Sequence, residues 1–84
     1  MENDELFYFS AGKIYYIIKP TINDYYDGIP IYEHQNGNNV IGQLFYNEGF
    51  LFIGNVWCNY IQILYKNITG WIRIKSLTMA KQLK

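Results

Sequence analysis

The chain has 84 residues, half of them hydrophobic and 19% aromatic, with seven acids balanced against seven bases. That length gives one domain with an adequate core and no room for a separate lid or second lobe, and that apolar content excludes a disordered chain. The zero net charge leaves no global positive field of the kind that draws a protein to a nucleic-acid backbone.

Along the chain, residues 1–5 are polar and read as a frayed end. Residues 6–9 are a short apolar strand, residues 10–13 a turn with Gly12 free to take positive φ, and residues 14–18 a β-branched and aromatic strand. Together they predict a hairpin. Neither arm alternates, so burial on both faces is expected, against the domain or against a second chain. The stretch Leu6–Ile18 is therefore the candidate surface for homo-oligomer formation. Pro20 ends this unit, and residues 21–28 form a loop of turn formers that carries Tyr25, Tyr26 and Asp27.

Residues 29–33 are extended, with Pro30 fitting only an edge or a strand start. Six polar residues, 34–39, make the next loop. A strand at 40–46, a tight turn at 47–49 and a returning strand at 50–53 follow. Gly54 and Asn55 mark a bulge or turn, and residues 56–59 an apolar connection. In residues 60–65, Ile61, Ile63 and Tyr65 share one side, with Tyr60, Gln62 and Leu64 on the other. Lys66-Asn67 is a two-residue hairpin loop. In residues 68–75, Ile72 and Ile74 face one way, with Trp71, Arg73 and Lys75 facing the other. Ser76-Leu77 begins a 3₁₀ turn, and residues 79–84 are a basic tail with at most one helical turn. Five or six short strands at close spacing and no convincing helix predict a small all-β domain. Closing the sheet into an antiparallel barrel would remove its exposed edges.

Charge is unevenly spread. Seven acids and two lysines leave residues 1–48 at −5, whereas five bases and no acid put residues 49–84 at +5. Pairing between the two parts is the simplest expectation; the functional alternative is a dipolar surface that orients a charged partner. Cys58, the sole cysteine, cannot form an internal disulfide and reads as a small buried apolar residue. No apolar run reaches the ~18 residues that span a bilayer. The acidic start lacks a basic segment followed by an apolar one. The expectation is a cytoplasmic protein if Met1 is the native start, and an exported one if a leader has been removed.

Catalysis is not expected. His34, the single histidine, sits in a polar loop, and its neighbour Glu33 would point away from it in an extended chain. Asp24, Asp27 and Glu33 fit no standard Ca²⁺ loop, and no glycine-rich phosphate cradle is present. No metal or cofactor is predicted.

Several stretches then line up with one pattern. Val40-Ile41-Gly42-Gln43-Leu44 reads Val-Ile-Gly-x-Leu, and Gly49 opens the next strand. Tyr60-Ile61-Gln62-Ile63 stands where Trp-x-x-Val would be. Thr69-Gly70-Trp71-Ile72 closes the pattern eleven residues after Tyr60, followed by the Ser76-Leu77 pair. Over residues 29–77 the chain resembles the bacterial SH3 (SH3b) domain family. It departs from that pattern with Tyr60 in place of tryptophan and Asn67 in place of glycine.

The resemblance implies an SH3-like barrel of five to seven short antiparallel strands at 29–78, an N-terminal hairpin extension at 1–28 packed on it, and a basic C-terminal tail at 79–84. It also implies a non-catalytic module that binds a protein or peptide. Binding to peptidoglycan is an alternative. Eukaryotic-type recognition of proline-rich peptides is disfavoured by Asn59-Tyr60 and Arg73. The residues expected to meet a partner are Tyr25, Tyr26, Asp27, Tyr32, Trp57, Tyr60, Trp71 and Arg73, because rings offer large contact area at low entropic cost. Two other readings are a structural assembly subunit and a small nucleic-acid-binding barrel. The latter would use Arg73, Lys75, Lys66 and Lys81 beside Trp71 and Tyr65.

Overall fold

The fold is a computed structural model that describes residues 9–18, 28–75 and 80–83. Within these the chain is all-β. The strands are β1 (Ile14–Ile17), β2 (Gly28–Tyr32), β3 (Val40–Phe45), β4 (Phe50–Trp57), β5 (Tyr60–Tyr65), β6 (Ile68–Arg73) and β7 (Ala80–Gln82). They form one antiparallel sheet in the order β3-β2-β6-β5-β4-β1-β7.

The expected closure is not formed: β3 and β7 are the two ends of the sheet and do not pair with each other. The sheet coils instead. Seven flat strands would span roughly 33 Å and be about 10 Å thick, whereas the molecule measures 29 × 27 × 25 Å. Coiling wraps one face around a core and leaves the other outward. The inner face takes Tyr15 and Ile17 from β1, Ile29 and Ile31 from β2, and Leu44 from β3. It also takes Phe50 and Phe52 from β4, Ile61, Ile63 and Tyr65 from β5, and Ile72 from β6. The alternation expected for residues 60–65 is therefore the one observed, with Ile74 packed at the margin of the core.

Three parts of the chain differ most from the sequence reading: the β4–β5 hairpin, the end of β6 and the tail. β4 runs on to Trp57 through a register shift between Phe52 and Val56, where Gly54 takes φ +114°. The turn is then Cys58-Asn59 alone, since Trp57 pairs with Tyr60. Cys58 stands at the tip of this hairpin with φ +51° and is exposed rather than buried. The 3₁₀ turn already includes Ile74 and Lys75; residues 76–79 lie outside the described residues. In the tail, Ala80–Gln82 is a strand and not a helical turn. It pairs with Tyr15–Ile17, because the otherwise unpaired side of β1 gives its backbone groups partners that a three-residue helix would lack.

β1 pairs with β4 on one side and β7 on the other. Tyr15 and Ile17 lie in the core at 2% exposure each, so within β1 only Ile14 offers a large exposed apolar side chain. Phe9 packs its ring on Tyr15, with centroids 4.6 Å apart; residues 6–8 of the predicted hairpin lie outside the described residues.

Gly70, in the Gly-Trp pair of the sequence pattern, is fixed by close approach. A Cβ there would run into Ile31 Cγ2 and lie 2.7 Å from the Tyr32 carbonyl oxygen. Gly70→Ala is expected to destabilise the fold by about 1–3 kcal/mol through overpacking. Gly12→Ala, in open space at φ +83°, should cost stability only through left-handed backbone strain, about 1–2 kcal/mol. Urea midpoints of the two variants check the distinction. An unshifted midpoint for Gly70→Ala would mean that β2 and β6 are less tightly apposed than described.

Candidate functional site

Residues directly opposite each other in an antiparallel pair project to the same face, so the register fixes what the outer face carries. On it, Tyr32 stands opposite Trp71, and Trp71 opposite Gln62. One row further, Arg73 stands opposite Tyr60, and Tyr60 opposite Trp57. Five of the eight residues singled out in the sequence are thus brought together: Tyr32, Trp57, Tyr60, Trp71 and Arg73. Tyr25, Tyr26 and Asp27 lie outside the described residues.

The rings are held in defined contacts. Tyr32 and Tyr60 meet edge to face with centroids 5.9 Å apart and an interplanar angle of 87°, the arrangement preferred by two ring quadrupoles. The Arg73 guanidinium carbon lies 6.0 Å from the Tyr60 ring centroid, at the outer limit of a cation–π contact. The 34–39 loop closes over this end of the sheet. It is tied down by Glu33 N–H donating to the Asn39 carbonyl at 2.8 Å and Gly37 N–H to the His34 carbonyl at 3.1 Å. A Cβ on Gly37 would collide with the Tyr60 hydroxyl, so the glycine at φ +83° lets the loop approach the ring. Because this loop curls, Glu33 does not point away from His34: its Oε1 lies 3.6 Å from His34 Nε2, at the surface.

Exposure is graded across the site. Trp57 is 52% exposed, whereas Tyr32, Tyr60 and Trp71 are half-buried and Arg73 is exposed. Gln62, opposite Trp71 in the register, accepts a hydrogen bond from Asn55 Nδ2 at 2.7 Å. Next to the rings runs an open groove of about 680 Å³ lined by Pro30, Tyr32, Val40, Gln43, Tyr46 and Arg73 among others. Sequence reasoning missed Gln62, Asn55 and the groove. Gln62 was legible, since the alternation at 60–65 already set it beside Tyr60. Pro30 and Gln43 were not, because they meet only through the pairing of β2 with β3.

This surface can offer rings, one cation and amides. Among the described residues no three His, Cys, Asp or Glu side chains come together. The basic face considered for nucleic acid is not assembled as expected. Tyr65 is 3% exposed and donates its hydroxyl proton to Glu48, and Lys66 Nζ lies 3.3 Å from Glu48 Oε1.

That Glu48–Tyr65–Lys66 cluster clasps the β3–β4 turn to the β5–β6 turn and pairs the acidic part of the chain with the basic part. The Tyr65 hydroxyl, and then Lys66, hold the Glu48 carboxyl below its ordinary pKa. Burial, and then the bond to Glu48, push the Tyr65 phenol up. Lys66 is raised through Tyr65 and Glu48. The lowered carboxyl contributes stability above its unfolded pKa of about 4.3, lost as pH falls through the folded value. The raised phenol and ammonium contribute below about 10, lost as pH rises through their folded values. Melting temperatures of the native protein and Glu48→Gln should therefore differ near neutrality and converge in acid. A difference that persisted unchanged into acid would show that the carboxylate charge is not what the clasp uses.

Comparisons with protein families, with curated proteins and with solved structures found no match to this chain.

Proposed function

We propose that this chain is a non-catalytic binding module of the bacterial SH3 type, built on an open coiled sheet, whose aromatic outer face takes a protein or peptide partner. The observation that carries the reading is the cross-strand register that gathers Tyr32, Trp57, Tyr60, Trp71 and Arg73 from four strands. A tryptophan half in solvent on a rigid strand end is a preformed anchor, since little conformational entropy remains to be lost when a partner covers it. The segments of the SH3b pattern support the scaffold side of the reading. The Val-Ile-Gly-x-Leu segment lies on β3, Gly49 precedes β4, and the Tyr60 and Gly70-Trp71 segments are paired as β5 and β6.

A second reading, binding of peptidoglycan, is favoured by one feature: the Asn55–Gln62 amide pair beside the rings, which could hydrogen-bond hydroxyl and acetamido groups of a glycan.

Selection of random short peptides displayed on phage, set beside co-sedimentation with purified peptidoglycan, tests both. The protein reading expects selected peptides whose binding is lost in Trp57→Ala. Co-sedimentation that depends on Gln62, with no peptide selected, favours the second reading. Failure of both overturns the assignment of this face.

A further inference from the structure

We propose that Asn36 is a self-modification site: in the folded protein the Gly37 backbone nitrogen attacks its carboxamide and converts it to aspartate and isoaspartate. The inference does not depend on what the aromatic face binds. Of the nine asparagines in the chain, Asn36 alone is followed by glycine. The reaction closes a ring between the asparagine side-chain carbon and the next residue's nitrogen, and only glycine leaves that approach free of a Cβ. The local geometry adds two features. Asn36 is exposed in the turn between β2 and β3, so hydroxide and water reach it. Asn38 N–H also donates to Asn36 Oδ1 at 3.1 Å. Attack at Cγ puts negative charge on that oxygen, and a backbone donor already aimed at it stabilises the tetrahedral intermediate as an oxyanion hole does. The opposing contact is Gly37 N–H donating to the His34 carbonyl at 3.1 Å, and a hydrogen bond in an exposed loop opens locally at little cost.

The steps balance with water as the co-reactant. Hydroxide removes the Gly37 amide proton, and the nitrogen bonds to Asn36 Cγ. The Cγ–Nδ2 bond then breaks, and Nδ2 takes up a proton and leaves as ammonia. Water opens the cyclic imide. Cleavage between the Gly37 nitrogen and Cγ gives aspartate. Cleavage between that nitrogen and the Asn36 main-chain carbonyl carbon gives isoaspartate. Net, water is consumed and ammonia released, with no change of oxidation state. The product reaches the aromatic face through Tyr60. Gly37 lies so close to the Tyr60 hydroxyl that a Cβ would collide with it, and the loop is tied off by Glu33 N–H donating to the Asn39 carbonyl at 2.8 Å. Isoaspartate adds a methylene to the main chain inside that tied loop and displaces Gly37 from Tyr60.

Mass spectrometry of the native protein, aged in mildly alkaline buffer with its cooperative melt intact, tests this. The peptide that carries Asn36 should exchange amide for carboxylate in both isomers, faster as pH rises, and before any of the other eight asparagines. Asn36→Gln, which would have to close a larger ring, should lose the conversion at this position. In the isoaspartyl fraction the Tyr60 amide signal of a ¹H–¹⁵N spectrum should shift from its place in fresh protein. An Asn36 that stays intact in the folded protein overturns the proposal, whether or not the urea-unfolded chain converts. So does another asparagine converting first. An unmoved Tyr60 signal in the isoaspartyl fraction overturns the coupling to the aromatic face.

Discussion

Phe50→Ala is expected to bring the domain to the edge of unfolding. Phe50 is 1% exposed and opens β4 directly opposite Tyr15. Its ring lies 6.3 Å from that of Tyr15, which in turn packs on Phe9 at 4.6 Å. The stack joins β1 to β4 and ties in the segment before β1, where Ser10 N–H donates to the Tyr15 hydroxyl at 2.6 Å. Truncating a buried phenylalanine costs about 3–5 kcal/mol, the sum of lost transfer energy and the cavity left behind. A domain of this length has only about 4–12 kcal/mol in total, at 0.05–0.15 kcal/mol per residue. Thermal unfolding followed by near-ultraviolet circular dichroism should show Phe50→Ala with a broad or absent transition. Phe50→Leu, which conserves most of the volume, should keep a cooperative melt at lower temperature. Phe45→Ala, on the exposed edge strand, should change little. Equal losses for Phe45 and Phe50 would mean that the core does not sit where the burial pattern puts it.

The second large effect concerns binding. Trp57→Ala should weaken a selected peptide by about 2 kcal/mol or more, roughly 30-fold, as expected of a ring at the centre of a contact. Trp57 is the cleaner variant because half of it already faces solvent, so its removal leaves the sheet intact. Trp71→Ala should weaken binding by a similar amount and also cost some stability, since Trp71 is half-buried between Tyr32 and Gln62. Arg73→Gln should act mainly on the association rate of an acidic peptide, with a salt dependence that the tryptophan variants lack. A Trp57→Ala protein that keeps both its melt and its full affinity would remove that ring from the site.

The core strands were legible because they alternate. Ile61, Ile63 and Tyr65, and then Ile72, repeat with period two, and each is buried. Gly12 and the Lys66-Asn67 turn were legible from local turn chemistry. What could not be read is whatever depends on distant pairing. Nothing in Ala-Lys-Gln marks β7 as a strand; only the available side of β1 makes it one. The insertion of the β2–β3 hairpin beside β6 rests on the Tyr32–Trp71 match, two residues 39 positions apart in the chain. The open sheet has the same origin, because strand count and turn spacing suit a closed barrel and an open coil equally well. Cys58 was misread because a lone cysteine is usually buried, and the signal against that was its place beside Asn59 in a two-residue turn. The candidate site was legible in its residue types. It was not legible in its geometry, which register alone supplies.

The proposed partner surface is the one outward face that carries Trp57 and Trp71. A ¹H–¹⁵N correlation spectrum titrated with a selected peptide tests it most directly, since both indole N–H groups report separately from the backbone. Both indole signals should shift on binding, together with backbone amides of Tyr32, Tyr60, Gln62 and Arg73, while those of β1 and β7 stay in place. Saturable shifts confined to β1, β7 or the far ends of β4 and β5, with both indoles unmoved, would contradict it.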